Sequence, residues 1–240
     1  PAVAYLKGDG ELAAEFLAAG IPVVPIGQAT PWRASGVLRE SRPDLVHTHA
    51  SKAGALGRRV AVRLGLPSVH TFHGHVLEGY FAPTFSRWLV AHERRAAGRT
   101  SRILAVSHAT ADDLLRLGVC GEHKLTVVQP GIELEPLLSI SARALVLRKE
   151  LGTPQDHVLV GVIGRLASVK QPELALEVLE LLSERYPALE LCFVGDGTLF
   201  SSLARKIRAG SSAMRARVHL AGAREDMRAV LADLDIVLST

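Results

Sequence analysis

A chain of 240 residues, 48% hydrophobic and 22% charged, is globular and can bury a substantial core in one large or two modest domains. Its longest apolar runs, at 158–163 and 191–194, are strand-sized and exclude a membrane-spanning helix, which needs about 18 or more such residues. The formal net charge of +4 fits phosphate-bearing substrates, an anionic membrane or nucleic acid alike, while Cys120 and Cys192, outside any Cys-x-x-Cys or Cys/His spacing, argue against a zinc site or disulfide scaffold and fit a reducing cytoplasm.

In chain order, short β-branched and aliphatic runs predict strands near 1–6, 21–27, 44–49, 67–73, 102–107, 125–129, 157–163, 189–194, 217–221 and 235–239. Amphipathic Ala/Leu/Arg-rich stretches between them predict helices near 9–19, 32–41, 52–65, 83–98, 108–117, 141–151, 170–186, 198–209 and 225–233. This alternation predicts repeated βα units on parallel sheets. Ten strands are too many for one ordinary doubly wound sheet, and the aperiodic stretch 129–136, with Pro130, Gly131 and Pro136, marks a joint. The expected domains are therefore 1–133 and 134–240. Pro1, followed by Ala-Val-Ala-Tyr-Leu, shows neither an initiator Met nor a signal-peptide layout, so the sequence reads as the middle of a longer protein.

Ligands of open α/β sheets collect beyond the carboxyl ends of strands, so a site is expected at those positions. Thr71-Phe72-His73-Gly74-His75 follows a strand and offers two histidines flanking a glycine. Imidazole titrates near neutrality and can meet a substrate there, although a structural histidine satisfied by backbone bonds remains open, more so for His75 than for His73. Gly164-Arg165-Leu166-Ala167-Ser168-Val169-Lys170 places two cations five apart on a loop leading into a helix. That spacing suits a diphosphate: arginine pairs with phosphate oxygens, lysine adds a mobile charge, and the helix can aim its first amides at the anion. Gly195-Asp196-Gly197-Thr198 fits a glycine-flanked turn, with Thr198 as a helix cap the plain alternative. Gly222 to Asp226 opens a fourth strand end, where backbone groups can read a nucleobase edge and Asp226 can complement a helix dipole. Two basic helical stretches, Lys52/Arg58/Arg59/Arg63 and Arg87/His92/Arg94/Arg95/Arg99 beside Trp88 and Leu89, read as solvated faces, or, for the aromatic one, as a surface for an anionic membrane. No motif supports nucleic-acid binding.

In series, Asp44-Leu45-Val46-His47-Thr48-His49, Lys52-Ala53-Gly54, Thr71-Phe72-His73-Gly74, Ala105-Val106-Ser107 and Val128-Gln129-Pro130-Gly131-Ile132 resemble the N-terminal, acceptor-binding domain of the retaining glycosyltransferases of family 4. Gly164-Arg165-Leu166 with Lys170, Val194-Gly195-Asp196-Gly197, Leu220-Ala221-Gly222 and Asp235-Ile236-Val237-Leu238-Ser239 resemble its donor-binding domain, the capsular and exopolysaccharide branch coming closest. The resemblance implies an α/β fold of two Rossmann-like domains (GT-B) facing across a cleft, both incomplete here. It implies retaining transfer of a sugar from a UDP- or GDP-linked donor, without metal or other cofactor, to a glycan or lipid-linked acceptor. Such an enzyme works in the cytoplasm, at the inner face of the cell membrane, in surface polysaccharide synthesis. It gives Arg165 and Lys170 to the donor diphosphate, His73 to the transferred sugar, and Gly164, Gly195, Asp196, Gly197 and Gly222 to the walls of the donor site. Gln171 stands where that family often has glycine. The family's Gly-rich loop is expected before Pro1 and its Glu-x7-Glu motif after Thr240, so the isolated fragment is expected to be inactive. A nucleotide-sugar 2-epimerase of the same fold is the alternative; no carboxylate pair beside the Arg165 loop supports it.

Overall fold

The computed structural model describes residues 1–6, 11–27, 29–74, 77–78 and 81–239; His75 lies outside them. The chain divides into two compact units, Pro1–Gly131 and Ile132–Thr240. Unit 1 runs β1 (Val3–Tyr5), α1 (Glu11–Ala18), β2 (Val23–Pro25), α2 (Pro31–Ser41), β3 (Val46–His49), α3 (Ser51–Leu64), β4 (Ser68–Phe72), α4 (Pro83–Gly98), β5 (Arg102–Ala105), α5 (His108–Arg116) and β6 (Leu125–Val127). Unit 2 runs α6 (Glu135–Leu138), α7 (Val146–Leu151), β7 (Val158–Ile163), α8 (Pro172–Leu182), β8 (Leu189–Val194), α9 (Phe200–Ala209), α10 (Ser212–Arg217), β9 (Val218–Gly222), α11 (Met227–Asp233) and β10 (Ile236–Val237).

Every strand pair is parallel, in sheets ordered β1-β2 and β3-β4-β5-β6 in unit 1 and β10-β7-β8-β9 in unit 2. All ten expected strands form. The helices differ more. The helix expected at 141–151 starts only at Val146, because Asp233 takes the amide of Leu145 at 2.5 Å and that of Leu147 at 2.8 Å and holds Leu145 at φ 59°. The helix expected at 170–186 begins at Pro172, where a proline fits the first turn and turns the preceding residue away from helix. The short α10 was missed, although Ser211 caps it through its Oγ, which accepts the Met214 amide at 3.1 Å.

Near-continuous apolar runs form these strands because helices cover both sheet faces. On β8, Leu191 and Phe193 pack with Ala175, Leu176 and Leu179 of α8 and Leu203 and Ile207 of α9. The alternate residues Cys192 and Val194 pack on the other face with Leu147 of α7 and Val230 of α11. In unit 1, Ile103 and Ala105 meet Val90 and Ala97 of α4 and Ala111 and Leu114 of α5. Helix α3 lies flush on β3 and β4: a Cβ on Gly54 would enter the His70 ring, and one on Gly57 would come within 2.6 Å of Thr48 Cγ2.

That close packing buries His70, whose Nδ1 shares a 2.9 Å hydrogen bond with Thr48 Oγ1. Arg58, read from the sequence as part of a solvated face, is buried beneath it instead and donates to Glu93 at 2.7 Å and to the Gly54 carbonyl at 3.0 Å. Burial, reinforced by the Arg58 charge, pushes the His70 imidazole down to about 3. Below about pH 6.5 the unfolded chain therefore takes up a proton that the folded chain refuses, and stability falls as pH falls toward 3. The expected loss is about 1.6 kcal/mol between pH 6.5 and 5, the slope rising toward roughly 1.4 kcal/mol per unit once the unfolded imidazole is fully protonated. Urea titrations at those two pH values should show it, and His70→Asn should flatten the slope by close to one proton; an unchanged slope would remove His70 as its source.

Candidate functional site

The order β9-β8-β7-β10 means that the chain steps outward from β7 to β9 and then returns to lay β10 on the other side of β7. Ligands of open α/β sheets settle at such a reversal, outside the carboxyl ends of the two strands that flank it. Gly164 and Arg165 follow β7 there. Just past β10, the Leu238 amide donates to the Gly161 carbonyl at 2.8 Å, so the continuing register carries Ser239 beside Ile163.

Backbone hydrogen bonds join the three neighbouring strand ends into one platform. The Gly164 amide donates to Val194 O at 2.9 Å, Leu166 to Asp196 O at 2.9 Å, Leu199 to Leu166 O at 2.9 Å, and Gly195 to Gly222 O at 2.7 Å. Gly195 (φ 140°) and Gly197 (φ 158°) permit this contact, since a Cβ at either would be driven into the Gly164 or Leu166 carbonyl. Asp196 is committed to the turn, its carbonyl to Leu166 and its Oδ1 to the Gly197 amide at 2.6 Å. Gly164, Gly195, Asp196, Gly197 and Gly222 thus come together, as does the root of Arg165.

Leu166, 1% exposed, anchors this loop in the core, and the adjacent Arg165 points its charge to solvent. Among the described residues the Arg165 guanidinium has no hydrogen bond or ion pair. Lys170, also exposed, ends a 3-10 turn at Ser168–Lys170. The loop that leaves the glycine platform therefore carries two exposed cations, a chemistry suited to an anion of two linked phosphates.

The entry of α8 is less suited to anions than the sequence suggests. Pro172 removes an amide, Glu173 puts a carboxylate in the first turn, and the Leu174 amide is spent on Gln171 O at 3.0 Å. Gln171 itself sits at φ 41°, a left-handed conformation that a side chain resists, and more so before proline. Gln171→Gly should relieve that strain at some entropic cost and stabilise unit 2 by about 0.5–1 kcal/mol, readable as a raised urea midpoint.

One other expectation changes: helix α9 starts at Phe200, so Thr198 is not its cap. Asp226 stands at the N-cap of α11, as its helix-dipole reading places it, and is also forked by Arg224 at 2.7 and 2.8 Å, which holds its carboxyl below the usual range; Arg224 also bonds Glu150.

In unit 1 the second sequence-marked loop closes onto β3. His73 Nε2 shares a 2.8 Å hydrogen bond with His49 Nδ1, and His47 Nε2 shares one of 2.8 Å with Thr71 Oγ1. Burial, and then the neighbouring His73, lowers His47; burial, then His47 and His73, lowers His49. Both stay neutral at neutral pH. This pairing of His49 with His73 is not among the expectations from sequence, although the spacing of His47 and His49, two apart and opposite an equivalent position on β4, carried the signal.

It also missed a polar hub that holds unit 2 together. The Arg148 side chain, 1% exposed, donates to Asp235 Oδ2 at 2.5 Å and to the carbonyls of Asp233 (2.9 Å), Pro154 (2.8 Å) and His157 (3.1 Å). Asp235 also accepts from Arg143 and from the Leu159 amide at 2.8 Å. A second cluster lies at the start of β8, at the opposite end of that strand from the glycine platform, where Glu190 accepts from Thr153, His157 and His219 at 2.7, 2.6 and 2.7 Å. Burial works against the Glu190 charge, yet these hydrogen bonds hold its carboxyl below the usual range.

The family model described as Glycosyltransferase Family 4 matches residues 3–136, and the one described as Glycosyl transferases group 1 matches residues 157–240. The chain is 28% identical over 206 residues to an Escherichia coli UDP-Gal:alpha-D-GlcNAc-diphosphoundecaprenol alpha-1,3-galactosyltransferase, an overlap of 83% of this chain and 52% of the relative. It is 32% identical over 165 residues to a D-inositol 3-phosphate glycosyltransferase of Xylanimonas cellulosilytica, covering 62% of this chain and 40% of the relative. The chain thus spans about half the length of the curated relatives it matches. Among solved structures, Anabaena HepE in complex with UDP superposes with a TM-score of 0.75 at 22% identity, over 96% of this chain and 64% of that one. That likeness is one of fold.

Proposed function

Because the chain belongs to glycosyltransferase family 4 and has the parallel α/β fold of GT-B enzymes, we propose that it is part of a retaining transferase. It moves a sugar from a UDP-linked donor to a lipid-linked or glycan acceptor during surface polysaccharide synthesis. The observation that carries this reading is the exposed, unpaired Arg165 on a glycine platform at the topological reversal of unit 2.

In this mechanism unit 2 binds the nucleotide. Arg165 and Lys170 hold the diphosphate and neutralise the charge that grows on it as the glycosidic bond breaks. Gly195 and Gly197 let the chain turn tightly against the Gly164 and Leu166 carbonyls, Gly164 and Gly222 leave open space for the nucleotide, and Asp196 keeps the turn in shape. His73 of unit 1 orients the transferred sugar, and unit 1 receives the acceptor. The leaving phosphate takes the acceptor's proton, so no side chain is assigned as general base. UDP as the nucleotide is supported by the named donor of the E. coli relative and by the UDP complex of HepE.

Peripheral contact with an anionic membrane is supported by α4. Phe81, Phe85, Trp88 and His92 form an exposed ladder with ring centroids 5.1, 5.5 and 5.5 Å apart, continued by exposed Arg95 and Arg99. No helix among the described residues is long and apolar enough to cross a membrane. Sedimentation with vesicles should depend on anionic lipid and weaken in Trp88→Ala; indifference to lipid charge would remove the membrane contact.

The deciding experiment supplies the full chain with UDP-sugars and a polyprenyl-diphosphate-linked sugar acceptor. Transfer to the acceptor, with the anomeric configuration kept, is the expected result. Interconversion of the UDP-sugar without an acceptor would overturn the transferase reading in favour of an epimerase.

A further inference from the structure

We propose that His49 is a positioning residue for His73: a single hydrogen bond between the two rings fixes the orientation of His73 and decides whether its outward nitrogen donates or accepts a proton. The pairing rests on geometry alone, while the sugar as the group that the outward nitrogen meets rests on the transferase reading.

Strands β3 and β4 are parallel neighbours with His49 aligned to Thr71. Alternation then puts His47 and His49 on the same sheet face as Thr71 and His73, whereas Thr48, His70 and Phe72 turn to the other. On the first face His49 is held between two rings, with its centroid 4.3 Å from that of His47 and 5.1 Å from that of His73. His47 is tied in turn to Thr71. All three rings are exposed, so these ring contacts and hydrogen bonds are what orient His49, whose Nδ1 meets His73 Nε2 at 2.8 Å.

A hydrogen bond between two imidazole nitrogens contains one proton, and this couples the two tautomers. When His49 Nδ1 donates, neutral His73 must carry its remaining proton on Nδ1, which becomes a donor. When His73 Nε2 donates, its Nδ1 is a bare acceptor and neutral His49 carries its single ring proton on Nε2. Nδ1 of His73 has no other partner among the described residues. No carboxylate bonds to any of the three rings among those residues, so the tautomer of His73 is set by His49 rather than by an acid. Ring orientation and tautomer control by a partner of this kind is worth about tenfold to a hundredfold in activity where it has been measured around metal-bound histidines.

The test combines imidazole 15N spectra of the full chain, selectively labelled at histidine, with steady-state transfer kinetics. In the wild type His73 should show one tautomer with a hydrogen-bonded Nε2. His49→Phe keeps a ring in the stack but removes the bond, and should release His73 to the mixture of a free imidazole and lower kcat about tenfold to a hundredfold, with the donor KM changed less than twofold. His49→Asn, whose amide reaches the place of Nδ1, should recover the His73 signature and part of kcat. His49→Gln, whose amide reaches the place of Nε2, should recover neither, and this pair keeps the test valid if the Phe variant fails to fold. An unchanged His73 spectrum in His49→Phe, or equal recovery by Asn and Gln, would overturn the pairing. A wild-type chain with the coupled spectrum and no sugar transfer would overturn the sugar-facing role and the transferase reading while leaving the pairing established.

Discussion

Replacing Arg148 with alanine is expected to destabilise unit 2 by about 3–5 kcal/mol, a large share of the total stability of an ordinary domain. The Arg148 guanidinium is almost wholly buried and reaches Asp235 and three carbonyls from separate segments of unit 2. Truncation leaves those acceptors facing an empty, dry space, and Asp235 loses one of the two arginines that support its charge. The same residue ties β10 to β7, because the Asp235 carboxylate also takes the Leu159 amide. Burial opposes the Asp235 charge, but its hydrogen bonds to Leu159 and Arg143 and the charges of Arg148 and Arg143 hold the carboxyl below its usual range. Its contribution is therefore present at neutral pH and is lost as pH falls through that lowered value. Far-UV circular dichroism against urea measures the loss, and amide exchange locates it: Leu159 and Leu238 should exchange fast in Arg148→Ala. A variant with wild-type stability would show that the hub is decoration.

Arg165→Ala is expected to do the reverse, leaving stability within about 0.5 kcal/mol of wild type while weakening UDP binding by about tenfold to a hundredfold. In the complete enzyme kcat/KM should fall by about a hundredfold to a thousandfold, the cost of removing one preorganised charge from a developing anion. The reason is that the Arg165 side chain carries none of the fold's hydrogen bonds among the described residues, whereas its neighbour Leu166 anchors the loop. Arg165→Lys should recover only part of the affinity, because an ammonium cannot make the paired contact of a guanidinium. Calorimetric titration with UDP reads the binding directly. Unchanged UDP affinity in Arg165→Ala would remove this loop from the donor site.

These two arginines show what could be read in the sequence. The sequence alone determined the strands, because short β-branched and aliphatic runs alternating with amphipathic stretches and bounded by Gly, Pro and Asp are a local signal. It also located the strand-end loops, since Gly164, Gly195, Gly197 and Gly222 mark turns wherever they stand. The family followed from the order of those motifs. Composition could not separate Arg148 from Arg165, or buried Arg58 from the solvated residues around it. That distinction depends on partners distant in sequence: Asp235 lies 87 residues from Arg148, and Glu93 lies 35 from Arg58. The bond between His49 and His73 is of the same kind, joining the ends of two strands 24 residues apart. The helix start at Val146 also had to wait for tertiary structure, being set by the Asp233 carboxylate across unit 2, whereas the start at Pro172 was a local signal carried by the proline itself. Local periodicity reports which residues seek burial, but which polar groups meet once they are buried is fixed only when the sheet register brings remote strand ends together.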